Sequence, residues 1–312
     1  MKTLNNILIT GGTGFIGGHL IEHLVDRGYR ITVLSRSSPI THAKHAQVCF
    51  VSSLDGIPET NWYGVINLAG EPLDKSRWSA NQKALIIESR LSITSRVNDW
   101  IRKLPVPPKV YISGSAIGWY GHWDNECLDE ESAHREGFSH QLCNAWETQA
   151  NQLADVDCRI CTTRLGIVLG ANGGSLPAML LPAKLGLGGP IGHGDQWWSW
   201  IHVNDTVRCF EMLLDNDLAE GVFNLTAPTP VTQSEFAKTL GHQLKRPSFM
   251  PLPGFMAKLM LGEFAEEVLL NGQRVFPKKL MSSGFTFDYA NLSSALQDLL
   301  CQSQKLRSRL AL

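Results

Sequence analysis

No apolar stretch of this chain approaches the ~18 residues of a membrane span, which excludes a helical membrane protein. Net charge is nearly absent as well. The 312 residues carry 28 basic and 29 acidic side chains, a formal charge of −1, which excludes the basic surface that nucleic acid or anionic lipid requires. Repeats, heptads and low-complexity linkers are missing. Tyrosine is scarce, with five in the chain. The seven cysteines are odd in number and irregularly spaced, so they read as reduced thiols of a cytoplasmic protein rather than a disulfide framework. Cys158 and Cys161 make a C-x-x-C, but inside the strand-like "DCRICTTRLGIVLG"; two buried small residues are expected there, not a redox pair. The opening "MKTLNNILITGGTG" offers only Ile7, Leu8 and Ile9 before polar and glycine residues, too little for a signal-peptide core.

What remains is the composition of an ordinary globular protein, 43% hydrophobic and 18% charged, with length for one large or two modest domains. In "NNILITGGTGFIGGHLIEHLVDRGYRITVLSRS", a short apolar run at Ile7–Ile9 meets a glycine cluster. Ile16, Leu20 and Leu24 follow at helical spacing, Gly28 ends the helix, and Ile31–Leu34 begins a second strand. Gly12-x-Gly14-x-x-Gly17 and Gly11-x-x-Gly14-x-x-Gly17 both fit the turn that brings a dinucleotide pyrophosphate to a helix N-terminus. Gly11, Thr13, Gly14, Phe15, Ile16 and Gly17 are the expected cofactor residues of this turn. At the end of the second strand, where an acid would hold the ribose hydroxyls of NAD, stand Ser35 and Arg36; an arginine suits the 2′-phosphate of NADP. The strand Val65–Leu68 runs into Ala69, Gly70 and Glu71, and ligands of such sheets lie beyond the carboxyl ends of strands. Leu68, Ala69, Gly70 and Glu71 therefore join the cofactor set.

Ser79 and Gln82 form an S-x-x-Q capping box opening a long helix, whose inward line is Ile87, Thr94, Val97 and Ile101. Arg90 falls on that line. A buried charge is expensive unless paired, so Arg90 either snorkels to an edge or meets a ligand or carboxylate. On the helix beginning near Phe138, the residues Phe138, Leu142, Trp146 and Leu153 pack inward.

The motifs "TGGTGFIG", "NLAG", "VYISGSAIGWYG", "RLGIVLG" and "WIHVNDTV" occur in an order that resembles the extended short-chain dehydrogenases. With "GEPLDKSRW" and a Cys–Trp–Glu helix, the wording is similar to their atypical YfcH-like branch, the "epimerase family proteins". The resemblance spans nearly the whole chain. It implies an α/β fold, a Rossmann-type doubly wound parallel sheet with a smaller C-terminal α/β substrate or lid domain, and NADP(H) as cofactor. In the wider family a serine, a Tyr-x-x-x-Lys pair and a helix asparagine carry catalysis. The serine matches Ser115, but the asparagine position holds Arg90, the tyrosine position Ser139 and the lysine position Cys143. Four residues after the five tyrosines stand Val33, Asn67, Ser115, Asp124 and Ser293, so the chain contains no Tyr-x-x-x-Lys. Ser115 and Arg90 are the expected substrate-orienting and polarising groups. Tyr120, Cys143 or water is the expected proton source; Cys143 is alternatively a small hydrophobe in place of a lysine stem, and Tyr120 a wall residue.

In the C-terminal half, Trp197, Trp198 and Trp200 offer either stacking surface or packing. Asn204 or Asp205 is expected to cap the following helix. Arg274, Lys278 and Lys279 either meet substrate phosphates or form a solvated turn. His193 and His202 lack metal-ligand spacing, so no metal site is expected. The expected division is residues 1–170 for the NADP-binding domain, with 200–227 returning to it, and 171–199 with 228–312 for the lid. The partner expected is a small-molecule substrate, with no nucleic acid and no membrane. Two functions stay open: an NADP(H)-dependent oxidoreductase or epimerase-like enzyme acting on a small or nucleotide-linked carbonyl or hydroxyl compound, and a non-catalytic NADP(H)-sensing protein.

Overall fold

The computed structural model describes residues 5–36, 45–58 and 61–310. Seven strands, β1 (Asn6–Thr10), β2 (Arg30–Leu34), β3 (Val48–Val51), β4 (Trp62–Asn67), β5 (Val110–Ala116), β6 (Arg159–Leu165) and β7 (Gly221–Leu225), form one sheet. Their order is β7-β6-β5-β4-β1-β2-β3, and every pairing is parallel. The helices are α1 (Phe15–Asp26), α2 (Ala80–Lys103), α3 (Phe138–Asn151), α4 (Leu176–Lys184), α5 (Val203–Asp215), α6 (Gln233–Leu244), α7 (Gly254–Leu261), α8 (Lys278–Ser282) and α9 (Leu292–Leu310).

The apolar run of β1 follows from helices covering both faces of a parallel sheet. Ile7 and Ile9 point to one side, where Leu20 and Leu24 of α1 meet Val207 and Phe210 of α5. Leu8 points to the other, against Val97 and Ile101 of α2 and Ala150 of α3. A second core lies outside the sheet, where α4, α6 and α9 bring Leu180, Phe236, Leu240 and Leu296 onto Trp198 and Trp200. Those two tryptophans are 2% and 0% exposed: they are packing, not stacking surface. Trp197 is half-buried beneath the Arg274 guanidinium, 4.2 Å from its ring centroid. Lys278 pairs with Asp129 and Glu131, and Lys279 donates to the Glu220 carbonyl, so the two lysines of this basic turn are spent within the protein.

Other local expectations shift. Ser79 caps α2 through the Gln82 amide, but the Ser79 amide donates to the Arg77 carbonyl rather than to the Gln82 side chain, so only half of the box forms. Ile86 rather than Ile87 begins the buried line of α2. The cap of α5 is neither Asn204 nor Asp205: His202 Nδ1 accepts from the Asn204 amide, a role that capping preferences seldom give histidine. Asp205 instead accepts from the amides of Asp288 and Tyr289. Cys158 and Cys161 are free thiols, and burial pushes them up to about 12 and about 11.

The sheet order reverses between β1 and β4, and the glycine turn after β1 sits at that crevice. Gly11 has φ +70°, and a Cβ there would lie 2.6 Å from the Leu68 carbonyl. A Cβ on Gly17 would lie 2.3 Å from the Gly11 oxygen. These approaches set the first turn of α1 directly behind β1. Gly17→Ala is therefore expected to destabilise the fold by about 2 kcal/mol through overpacking. Gly18→Ala, whose Cβ would meet nothing within 4 Å, should instead be neutral or stabilising; urea denaturation of the two variants checks the contrast.

Candidate functional site at the carboxyl edge of the sheet

A buried network locks the crevice. Thr10 Oγ1 donates to Asn67 Oδ1 at 2.6 Å, and the Asn67 amide donates to Thr94 and to Tyr111. Thr10 also accepts from the Ala69 amide at 3.2 Å, which fixes the loop Leu68–Ala69–Gly70 over the glycine turn. Gly14 caps α1 with no side chain, leaving first-turn N–H groups for an anionic ligand. A cavity of about 200 Å³ opens there, lined by Gly12, Thr13, Gly18, Ile21, His45 and Phe50 among others. Phe15 turns away from it and packs on Gly170, Gly173 and Gly174, while Ile16 is half-buried against the core; their contribution at this end is backbone. Ser35 and the exposed Arg36 stand at the end of β2. Lys75 holds the Glu71 carboxyl below its usual range, with Arg36 and Arg90 adding smaller contributions.

Ser115, 2% exposed near the end of β5, donates to Glu147 Oε1 at 2.6 Å. Arg164 of β6 grips the same carboxylate in a two-point bridge, both bonds 2.9 Å. The Arg164 side chain is 3% exposed and that of Glu147 8%, and the guanidinium stacks 3.5 Å from the Trp119 ring centroid. Three elements, β5, α3 and β6, are thus tied through one buried carboxylate. Neither Glu147 nor Arg164 was among the sequence-derived site residues.

Two expected proton donors are closed off. Tyr120 is fully buried, its hydroxyl donating to Asn224 Oδ1 at 2.8 Å, and burial pushes it up to about 12 despite Arg164 nearby. It is a wall residue. Cys143 is 3% exposed; burial and then the Glu147 charge push its thiol up to about 11, and Arg90 offsets this only in part. It behaves as a small hydrophobe at the lysine position.

Ser139, where the resemblance led a tyrosine to be expected, is bonded to a carboxylate of a distant segment. Its hydroxyl donates to Glu267 Oε2 at 2.7 Å and its amide to the same oxygen at 3.2 Å. Glu267 belongs to a π turn, Ala265–Leu270, and its other oxygen lies 3.4 Å from His122 Nε2. Burial acts to raise this carboxyl, but His122 and Ser139 outweigh it and hold Glu267 at about 2. The His122 side chain keeps 28% of its surface exposed. A Cβ on Gly118, just after Ser115, would lie 3.0 Å from Ser139 Cβ and 3.8 Å from Cys143 Sγ, so the two serine–carboxylate pairs border one another.

Arg90 does not snorkel. It is 8% exposed, and Nη1 donates to the carbonyls of Glu71 and Ile86. His134, Glu136 and His140 place ligand atoms within 4.8 Å of one another, but the two imidazoles stack at 3.9 Å and 4°. Parallel rings do not aim their lone pairs at one ion, and His140 Nδ1 is engaged by the Trp119 carbonyl.

A glycine turn at the switch point, with a buried serine at the same edge, defines a dinucleotide-binding α/β protein of the dehydrogenase and epimerase type. Residues 7–226 match the NAD dependent epimerase/dehydratase family and residues 252–299 a domain of unknown function, DUF1731; the chain belongs to that epimerase family. It is 38% identical over 306 residues to the chloroplastic epimerase family protein SDR39U1 homolog of Arabidopsis thaliana, covering 94% of this chain and 86% of the relative. It is 37% identical over 299 residues to the epimerase family protein YfhF of Bacillus subtilis, covering 95% and 98%. A crystal structure of human epimerase family protein SDR39U1 (isoform 2) with NADPH superposes with TM-score 0.87 at 33% identity, over 94% of this chain and 98% of that one. Among the described residues no helix is long and apolar enough to cross a membrane.

Removing one member of the buried pair strands a charge, so Glu147→Gln should destabilise the fold by about 3–5 kcal/mol, read by chemical denaturation. For Glu267 the folded state binds its proton more weakly than the unfolded chain does, so the stabilisation is complete above the ordinary carboxylate range and disappears as pH falls toward about 2. Wild type should therefore lose more thermal stability than Glu267→Gln between about pH 5 and about pH 3; equal losses would remove the ionised Glu267 contact.

Proposed function

We propose that the protein is an NADP(H)-dependent oxidoreductase or epimerase-like enzyme acting on a carbonyl or hydroxyl group of a small or nucleotide-linked substrate. The observation that carries this reading is Ser115, held by the buried Glu147–Arg164 pair at the same sheet edge as the glycine turn. The site fits the cofactor. The close glycine approaches, the uncapped start of α1 and Arg36 after β2 are what a pyrophosphate and a 2′-phosphate ask of a protein. Bound NADP(H) supplies or removes a hydride at carbon.

The chain's own residues then handle oxygen and proton. The Ser115 hydroxyl hydrogen is committed to Glu147, so its lone pairs face outward to orient a substrate hydroxyl. Arg90 contributes positive charge beside the substrate. Proton exchange is assigned to the Ser139–Glu267–His122 chain rather than to Ser115. Glu147 is sealed and saturated by Arg164, whereas the His122 side chain is partly exposed, with Nε2 on Glu267 and Nδ1 buried without a partner. When a substrate hydroxyl is oxidised, its proton passes to Ser139 Oγ as the Ser139 proton passes to Glu267 and on toward His122. Reduction reverses each transfer. Seven free cysteines accord with a reducing, cytoplasmic setting.

The rival reading, a non-catalytic NADP(H) sensor, draws on the serine at the tyrosine position, clamped to Glu267 of the DUF1731 region. The two readings separate in one experiment. Small molecules released on denaturing gently purified protein are identified by mass spectrometry, then tested for turnover with NADP(H) at 340 nm. A co-purifying carbonyl or sugar compound that turns over supports the enzyme; cofactor alone, with no turnover by any released compound, supports the sensor. Ser115→Ala and Arg90→Ala are expected to lower turnover by about 100-fold or more while leaving NADPH affinity unchanged. Full turnover in both would remove their assigned roles.

A further inference from the structure

The surroundings of Arg90 do not balance its charge. Its Nη1 is spent on two backbone carbonyls, its Nε is buried with no partner, and no carboxylate among the described residues is bonded to it. Glu71 is engaged by Lys75 at 2.8 Å, and Glu147 by Arg164 and Ser115. Cys143, the neighbouring thiol, stays protonated at neutral pH. The guanidinium lies 5.1 Å from the Trp146 ring centroid, and Trp146, itself 7% exposed, also has a buried indole N–H with no acceptor. Gly70 has no side chain here for a reason: a Cβ would sit 2.8 Å from Arg90 Cζ. Desolvating an unpaired guanidinium is costly, and an orphaned donor adds to the cost. Two buried donor groups and one surplus positive charge call for an acceptor that is itself negative.

We propose that Arg90 and Trp146 form a carboxylate-binding subsite beside Ser115, and that the substrate is a carboxylate-bearing carbonyl or hydroxyl compound, of which 2-hydroxy and 2-oxo acids are the smallest members. The Nε side of the Arg90 fork, left unspent by the protein, is the edge that grips a planar carboxylate at two points. Cys143 neighbours both Arg90 and Ser115, which places the subsite next to the group that orients the reacting oxygen. The inference rests on reading this cleft as a substrate site, and it narrows the substrate class.

Binding rather than turnover tests it. Glycolate, oxamate and the neutral isostere glycolamide are titrated calorimetrically into NADP⁺-saturated protein, wild type and the variants Arg90→Lys and Arg90→Gln. NADP⁺ itself is titrated into each protein, and thermal midpoints report folding. Glycolate or oxamate is expected to bind wild type about tenfold or more tightly than glycolamide and to lose about that factor in Arg90→Lys, which keeps the charge but not the fork. NADP⁺ affinity should be unchanged. If Arg90→Gln does not fold, Arg90→Lys and the glycolamide comparison still decide. Equal binding of glycolate and glycolamide, or no binding of either acid to wild type, overturns the proposal. A fall in NADP⁺ affinity with no effect on the acids reassigns the oxyanion to the cofactor's own phosphates and overturns the substrate assignment. Acid binding without turnover of any compound would leave the subsite standing while the enzyme reading of the cleft fails.

Discussion

The buried Glu147–Arg164 pair is the constraint on which the site depends. An arginine inside a parallel strand covered on both faces is tolerated only with a fully satisfied counter-charge, and the two-point grip on Glu147 supplies it. Because Glu147 rides on α3 and Arg164 on β6, the pair sets the rotation of α3 against the sheet. That rotation decides what α3 presents to the crevice: Cys143 to Ser115, Trp146 to Arg90, and Ser139 to the DUF1731 region. Ser115 takes the remaining strong acceptor position on the carboxylate, and its orientation is thereby fixed without any lysine or tyrosine.

The second constraint is steric and acts at the other end of the crevice. Gly11 and Gly17 let backbone meet backbone at distances no side chain permits, and the Thr10–Asn67 bond holds β1 and β4 in register beneath them. Between these two fixed points lies the loop carrying Gly70 and Glu71, closed over Arg90. The cofactor end is thus defined by the absence of side chains and the opposite end by an excess of buried donors.

Much of this was legible in the sequence. Continuous apolar runs, the glycine spacing and the helix period carry the sheet, α1 and the switch point, because they are local and periodic signals. Arg90 was flagged by its place on a buried helical line, and the same argument applied to Arg164, within the apolar run of "TTRLGIVLG", would have found the second arginine. Glu267 was not legible. It follows Glu266, which pairs with Lys258 at the surface, and only a contact across 128 residues distinguishes the two. For Tyr120 and Cys143 the sequence leaves the donor and packing readings open for a related reason: it gives residue chemistry but not depth, and burial is what raises both above the useful range. His202 escaped as a cap because its side chain imitates the acceptor that capping rules assign to smaller residues.

Charge and hydroxyl are held here by different physical devices. Arg90 of α2 packs against the Trp146 ring and beside the apolar Cys143. The short hydroxyl of Ser139 is met by Glu267, which comes in from the DUF1731 region. That contact is one of several along a single segment. Lys83 bonds Glu263, and the Arg77 guanidinium donates to the carbonyls of Leu259 and Met260, so residues 259–267 are fastened to α2, α3 and the loop before α2. The proposed proton path is therefore built jointly by α3, the turn after β5 and this segment, so it depends on contacts distant in sequence.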